Sequence, residues 1–155
     1  MPLKPEMLAN LAQQQAALVT ALLDSGEPPP GFNAANLRTA AAALARKRAR
    51  STMRAWPGLT LALGDRFNES FAAYAKLELL PQEGGPLADG RAFAKWLSAR
   101  NELPAEARIQ AFEVDLRYRA TPEGLIPRRW PAFRITKMPN PKRLILAIWI
   151  PWRGA

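Results

Sequence analysis

Residues 33–57 read NAANLRTAAAALARKRARSTMRAWP, and this composition belongs to one long helix. Alanine has the highest intrinsic helix propensity, with leucine and arginine close behind. Asn33 or Asn36 can act as N-cap, because a short side-chain oxygen there accepts from the unpaired N–H groups of the first turn. Pro57 should end the helix, since it has no N–H to donate and its ring crowds the preceding turn. The same stretch concentrates charge. Arg46, Arg50 and Arg54 follow one another at i, i+4, which lines them along one face; Lys47 lies beside them, and no acid interrupts residues 34–64. Two readings stay open: a stripe for phosphate or an acidic partner, or a solvated face balanced by carboxylates from neighbouring helices.

On the N-terminal side, Met7, Leu8, Leu11, Leu18, Val19, Leu22 and Leu23 recur at helical spacing after Pro5 and stop before Gly26, which predicts an amphipathic helix. Glu27-Pro28-Pro29-Pro30-Gly31 cannot continue it and reads as a stiff connector. On the other side, Asp65 can cap a helix carrying Phe67, Phe71 and Tyr74 on one face. Gln82 to Pro86 is a loop. Asp89 can cap a short helix with Phe93, Trp96 and Leu97, and Pro104 suits the first turn of one with Ile109, Phe112 and Leu116. That makes about five helices, whose aromatics at helical spacing are expected in the core.

After Arg119 the pattern changes. Thr121-Pro122-Glu123-Gly124 signals a turn, Phe133 to Lys137 alternates apolar with polar, and Arg143 to Ile150 is a β-branched apolar run beyond the break at Pro139-Asn140-Pro141. The expected fold is mainly α: a helical bundle over residues 1–119 and a small, basic, C-terminal β-hairpin appendage over 120–155, an α+β arrangement. The second strand is apolar on both faces, with Leu144, Leu146 and Ile148 on one side and Ile145, Ala147 and Trp149 on the other. A two-stranded hairpin is marginal alone. Either both faces are buried within the chain, or one is a docking or strand-addition surface. Trp130, Trp149 and Trp152 stand among Arg128, Arg129, Arg134 and Arg143, and Trp and Arg are enriched in interface hot spots. With Phe133 and Ile135 from the first strand, these residues and Leu144, Leu146 and Ile148 are the candidate partner or peptide contacts. Arg46, Lys47, Arg50 and Arg54 are a possible separate basic patch.

Composition narrows the function. The 155 residues include no cysteine and no histidine, which removes zinc sites and Cys or His nucleophile systems. The 13 acids are scattered, and no spacing nominates a catalytic carboxylate pair; the chain by itself is expected not to be an enzyme. Residues 121–155 hold seven basic side chains and one acidic, against near balance before them. The longest apolar run, Leu144 to Ile150, is far short of the roughly 20 residues that span a bilayer. No secretory signal pattern opens the chain, so a cytoplasmic location without membrane attachment is the simplest expectation.

The phrase Leu44-Ala-Arg-Lys-Arg-Ala-Arg, followed by Met53-Arg-Ala-Trp-Pro and Leu63-Gly-Asp-Arg-Phe, together with Leu87-Ala-Asp-Gly-Arg-Ala-Phe-Ala-Lys-Trp-Leu, resembles the small helical partner proteins of multinuclear non-heme iron-dependent oxidative enzymes. Those partners serve ribosomal-peptide modification systems such as the ones making methanobactin or 3-thiaglutamate. The resemblance covers roughly residues 10–119. It implies a heterodimer in which a separate TIM-barrel chain holds the iron and oxidises, while this chain holds no cofactor and helps recruit the ribosomally made precursor peptide. No catalytic residue carries over. Relatives of that family have also borne a DNA-binding label, which makes a basic helical DNA-binding protein the alternative. The sequence has no clear helix-turn-helix with a polar recognition helix to support base readout.

Overall fold

The computed structural model describes residues 5–22, 31, 33–139 and 142–151. Among them are helices α1 (Pro5–Leu22), α2 (Ala34–Ala55), α3 (Pro57–Leu63), α4 (Arg66–Leu77), α5 (Gly85–Ala99) and α6 (Ala105–Arg117), then strands β1 (Tyr118–Thr121), β2 (Gly124–Pro127), β3 (Ala132–Pro139) and β4 (Lys142–Trp149). The fold is mainly helical with two small antiparallel strand pairs at its C-terminal end, the class expected from the sequence. Contacts divide the chain into two compact units, Met1–Ala49 with Asn68–Leu79, and Arg50–Phe67 with Leu80–Ala155. The division falls within α2 and α4. The Pro28–Pro30 connector lies outside the described residues.

In the first unit, Asn33 is the cap of α2: its Oδ1 accepts from the backbone N–H of Ala35 at 2.8 Å and of Asn36 at 3.3 Å. Near the end of that unit's share of α2, Arg48 is buried, off the face that carries Arg46. Its guanidinium donates to the Glu78 carbonyl at 3.0 Å and lies 5.8 Å and 5.4 Å from the ring centres of Phe71 and Tyr74. Aromatic faces and a carbonyl dipole let a charge be removed from water here. Met7 and Leu11 of α1 are exposed, so the apolar stripe read there is not buried at those two positions.

The second unit begins with a break in helix direction. Ala55 ends α2 as Pro57 required, but Pro57 also starts α3, because a proline at the first helical position loses nothing by lacking an N–H. This sixth helix was absent from the sequence reading, which took Pro57 only as a stop. The Gln110 side chain from α6 bridges the break: its amide nitrogen donates to the Ala55 carbonyl at 3.3 Å and its oxygen accepts from the Leu59 N–H at 3.0 Å. Trp56, at the break, is fully buried, and its indole N–H donates to the Leu87 carbonyl at 3.0 Å. A Cβ at Gly90 would come within 2.1 Å of the Trp56 ring, so only glycine admits the indole against α5. Phe67 packs edge-on against Phe93 at 5.6 Å beside this joint.

Of two further caps read from sequence, one differs. Asp65 does directly precede α4. Asp89, however, is one turn inside α5 and buried, because the helix starts earlier, at Gly85, with Pro86 in its first turn. The positive φ of Gly84, +82°, turns the chain into that start. The loop before it holds the β1–β2 turn: the Glu83 N–H donates to the Glu123 carbonyl, the Leu125 N–H donates to the Glu83 carbonyl, and Gly124, at φ +146°, allows the approach.

Candidate partner-binding surface

The β3–β4 ladder pairs Phe133 with Ile148, Ile135 with Leu146 and Arg134 with Ala147. Side chains alternate across a strand, so Phe133, Ile135, Leu144, Leu146 and Ile148 share one face. That face is open to solvent, with Phe133 76%, Ile135 59%, Leu144 70%, Leu146 60% and Ile148 66% exposed. The other face, with Ala132, Thr136, Ile145, Ala147 and Trp149, is half-buried, and α6 touches both strands. Of the alternatives left by the sequence, the structure has the helix covering one face and nothing of the described chain covering the other. Each strand pairs only with the other among the described residues, which leaves an outer edge on each. An apolar face of this kind, next to unpaired strand edges, is a surface that natural proteins otherwise blunt.

The remaining sequence candidates are distributed around it. Trp130 is 73% exposed and Arg129 exposed, both in the β2–β3 connection. Arg143 has a place in β4, but its side chain, like all of Trp152, lies outside what is described. Arg46, Lys47, Arg50 and Arg54 are all exposed on α2, the first two in one unit and the last two in the other, remote in character from the apolar strands.

Sequence reasoning missed a second feature of the same unit. The Asp115 carboxylate of α6 receives Arg91 of α5 through two hydrogen bonds, Nε at 2.5 Å and Nη2 at 2.7 Å, and Arg134 of β3 at 2.9 Å. Arg128 donates from Nε and Nη2 to the Asp115 backbone carbonyl, each at 3.4 Å. These residues line a groove of about 610 Å³ together with Arg119, Tyr118 and Phe133. Arg91 and Asp115 are 24 positions apart on different helices, and neither is marked by a motif. Among the described residues no group of three or more metal-ligating side chains occurs, and no helix is long and apolar enough to cross a membrane.

Comparison with known proteins adds identity. No solved structure matches the chain. A UPF0276 protein of Streptomyces avermitilis is 36% identical over 130 residues, which is 83% of this chain but 26% of that protein. The chain thus spans about a quarter of the length of the curated relative it matches. The family profile described as SCO6045-like, C-terminal domain, matches residues 12–99. It takes in the Trp56–Gly90 joint and stops before α6 and the strands. The phrases Met53 to Pro57 and Leu87 to Leu97 fall inside it, and Trp56, Ala88, Phe93, Ala94 and Leu97 within them are buried in the core. On this match the chain belongs to the SCO6045-like C-terminal domain family.

Proposed function

We propose that this chain is the non-catalytic partner subunit of an iron-dependent peptide-modifying oxidase, a separate TIM-barrel chain that holds the iron, and that it recruits or positions the ribosomally made precursor peptide. The observation that carries the reading is the open face of β3–β4. Five large apolar side chains stand in water there beside unpaired strand edges. Such a surface lowers its free energy by taking a partner, at about 25 cal/mol for each Å² of apolar area removed from water. Strand addition would satisfy the edge at the same time. The Streptomyces relative supports association with a larger body, because a stretch similar to this chain there shares one polypeptide with about three times as much other sequence. The phrases in α2 and α5 carry the resemblance to oxidase partner proteins, and their aromatic residues Trp56 and Phe93 serve the core, as suits a subunit that contributes shape and surface and no reacting group.

The test is co-expression with a candidate iron-oxidase chain and measurement of the eluted mass by light scattering. A one-to-one complex that Leu146→Glu abolishes, while the isolated subunit keeps its circular dichroism, is the expected result. Separate elution of the two wild-type chains overturns the proposal. The alternative, nucleic-acid binding through Arg46, Lys47, Arg50 and Arg54, draws on their exposure on an acid-free helix. It predicts affinity for duplex DNA that falls steeply with salt.

A further inference from the structure

The arginines around Asp115 are not all accounted for by the carboxylate they surround. Arg91 and Arg134 have it as counter-ion, and through it β3 is tied to α6 and α5. Arg128 has only the Asp115 carbonyl, at 3.4 Å, a neutral acceptor at the limit of a hydrogen bond. Arg119 is exposed and makes no ion pair among the described residues. Four guanidinium groups and one carboxylate therefore line the groove, and two of the four have no anion.

We infer that this groove is a carboxylate-binding site, in which Arg119 and Arg128 receive acidic side chains of a peptide segment lying along β3. The inference rests on the peptide-recruiting part of the function proposed above and adds the chemistry of the peptide. A guanidinium presents parallel N–H donors that match the two oxygens of a carboxylate. Asp115 holds Arg91 and Arg134 in place, so the incoming anion meets an arranged wall.

Strand alternation supplies the rest. In β3, Ala132 and Arg134 point to the α6 side while Phe133 and Ile135 belong to the open apolar face. A segment added beside β3 alternates in the same way. Its residues on one side extend the apolar face, and those on the other point toward the arginines. The complementary sequence is thus acidic alternating with apolar. A nucleic-acid strand would satisfy the cations but could neither pair with the backbone edge of β3 nor set apolar side chains beside Phe133 and Ile135, so the peptide fits both halves of the surface.

Fluorescence anisotropy on the full chain tests this with a labelled decapeptide, Gly-Ser, three Glu-Leu repeats, Gly-Ser, and its twin with glutamine for glutamate. The acidic peptide should bind about ten-fold more tightly than the twin, the size expected for a charge-assisted pair. Arg119→Gln should remove most of that preference without moving the thermal midpoint. Arg128→Gln should act alike; since it also loses contacts to α6, Arg119→Gln decides if Arg128→Gln lowers stability. Equal binding of the twins overturns the carboxylate site while leaving the partner role to be judged by the mass of the oxidase complex. No binding of either peptide overturns it as well. Competition by a ten-nucleotide oligo-dT as strong as that of the acidic peptide overturns it in favour of a phosphate site.

Discussion

Trp56 with its neighbours and the β3–β4 hairpin are built from the same kinds of residue and end in opposite surroundings. Around Trp56 the packed rings and Leu59 are enclosed: Trp56, Leu59, Phe67 and Phe93 are all at 0% exposure, and the one polar atom of the indole is paired. On the open face of the hairpin, side chains of equal hydrophobicity are more than half exposed. The first arrangement is complete within the chain and accounts for folding. The second is complete only with something else, and apolar composition alone cannot distinguish the two. What distinguishes them is a covering element: α5 and its Gly90 for Trp56, and none on the described chain for Leu146.

The comparison can be broken most forcefully at the enclosed end. Trp56→Ala empties a fully buried site and leaves the Leu87 carbonyl without its donor, which should cost about 3–5 kcal/mol and lower the urea midpoint accordingly. Gly90→Ala puts a methyl group where the Trp56 ring lies, 2.1 Å from its Cδ1. The ring is held by its hydrogen bond and cannot swing away, so a loss of about 3 kcal/mol is expected. If Gly90→Ala melted like the wild type, α5 would have to be free to move off the indole, and the contrast with the hairpin would lose its firmest side.

How legible these regions were in the sequence follows from how local their determinants are. The end of α2 before Pro57 and the pairing of β3 with β4 depend on residues within a few positions of one another and were readable, as was the cap of α2 down to the choice between Asn33 and Asn36. The open face of the hairpin was read as one of two outcomes, because whether α6 covers one side or other elements cover both is a tertiary matter. Helix α3 was missed although Pro57 marks its start, since proline both ends one helix and begins another. Burial of Arg48 was hidden because Phe71, Tyr74 and the Glu78 carbonyl are 23 to 30 positions away along the chain. The groove was hidden for the same reason: Arg91 belongs to α5, Arg119 to β1 and Arg128 to a connection, and only the fold brings them to one groove.

Between the two extremes stands the junction that attaches the hairpin to the helices. Asp115→Asn removes the counter-ion of Arg91 and Arg134 but keeps a side chain of nearly the same shape. The carboxylate is 15% exposed and the arginines 25% and 44%, so solvent screens part of the loss. A destabilisation of about 2 kcal/mol by chemical denaturation is expected. Hydrogen exchange should rise in β3 and β4 more than in α3 or α5, because the tie to α6 is what is weakened.

At the open face the expectation reverses sign in what it reads. Ile135 and Leu146 oppose one another across the ladder and both are mostly exposed. Replacing them with Lys and Glu exchanges an apolar cross-strand pair for an ion pair of comparable worth, within about 0.5 kcal/mol of neutral. The isolated subunit should then unfold at nearly the same denaturant concentration while staying soluble to higher concentration, and it should fail to join the oxidase. The argument turns on the pairing of these readouts. A core substitution loses stability and partner together, whereas a surface kept apolar for a partner loses the partner alone. Were the double variant to unfold markedly earlier, the face would be supporting the fold of this chain, and the contrast with Trp56 would be one of degree.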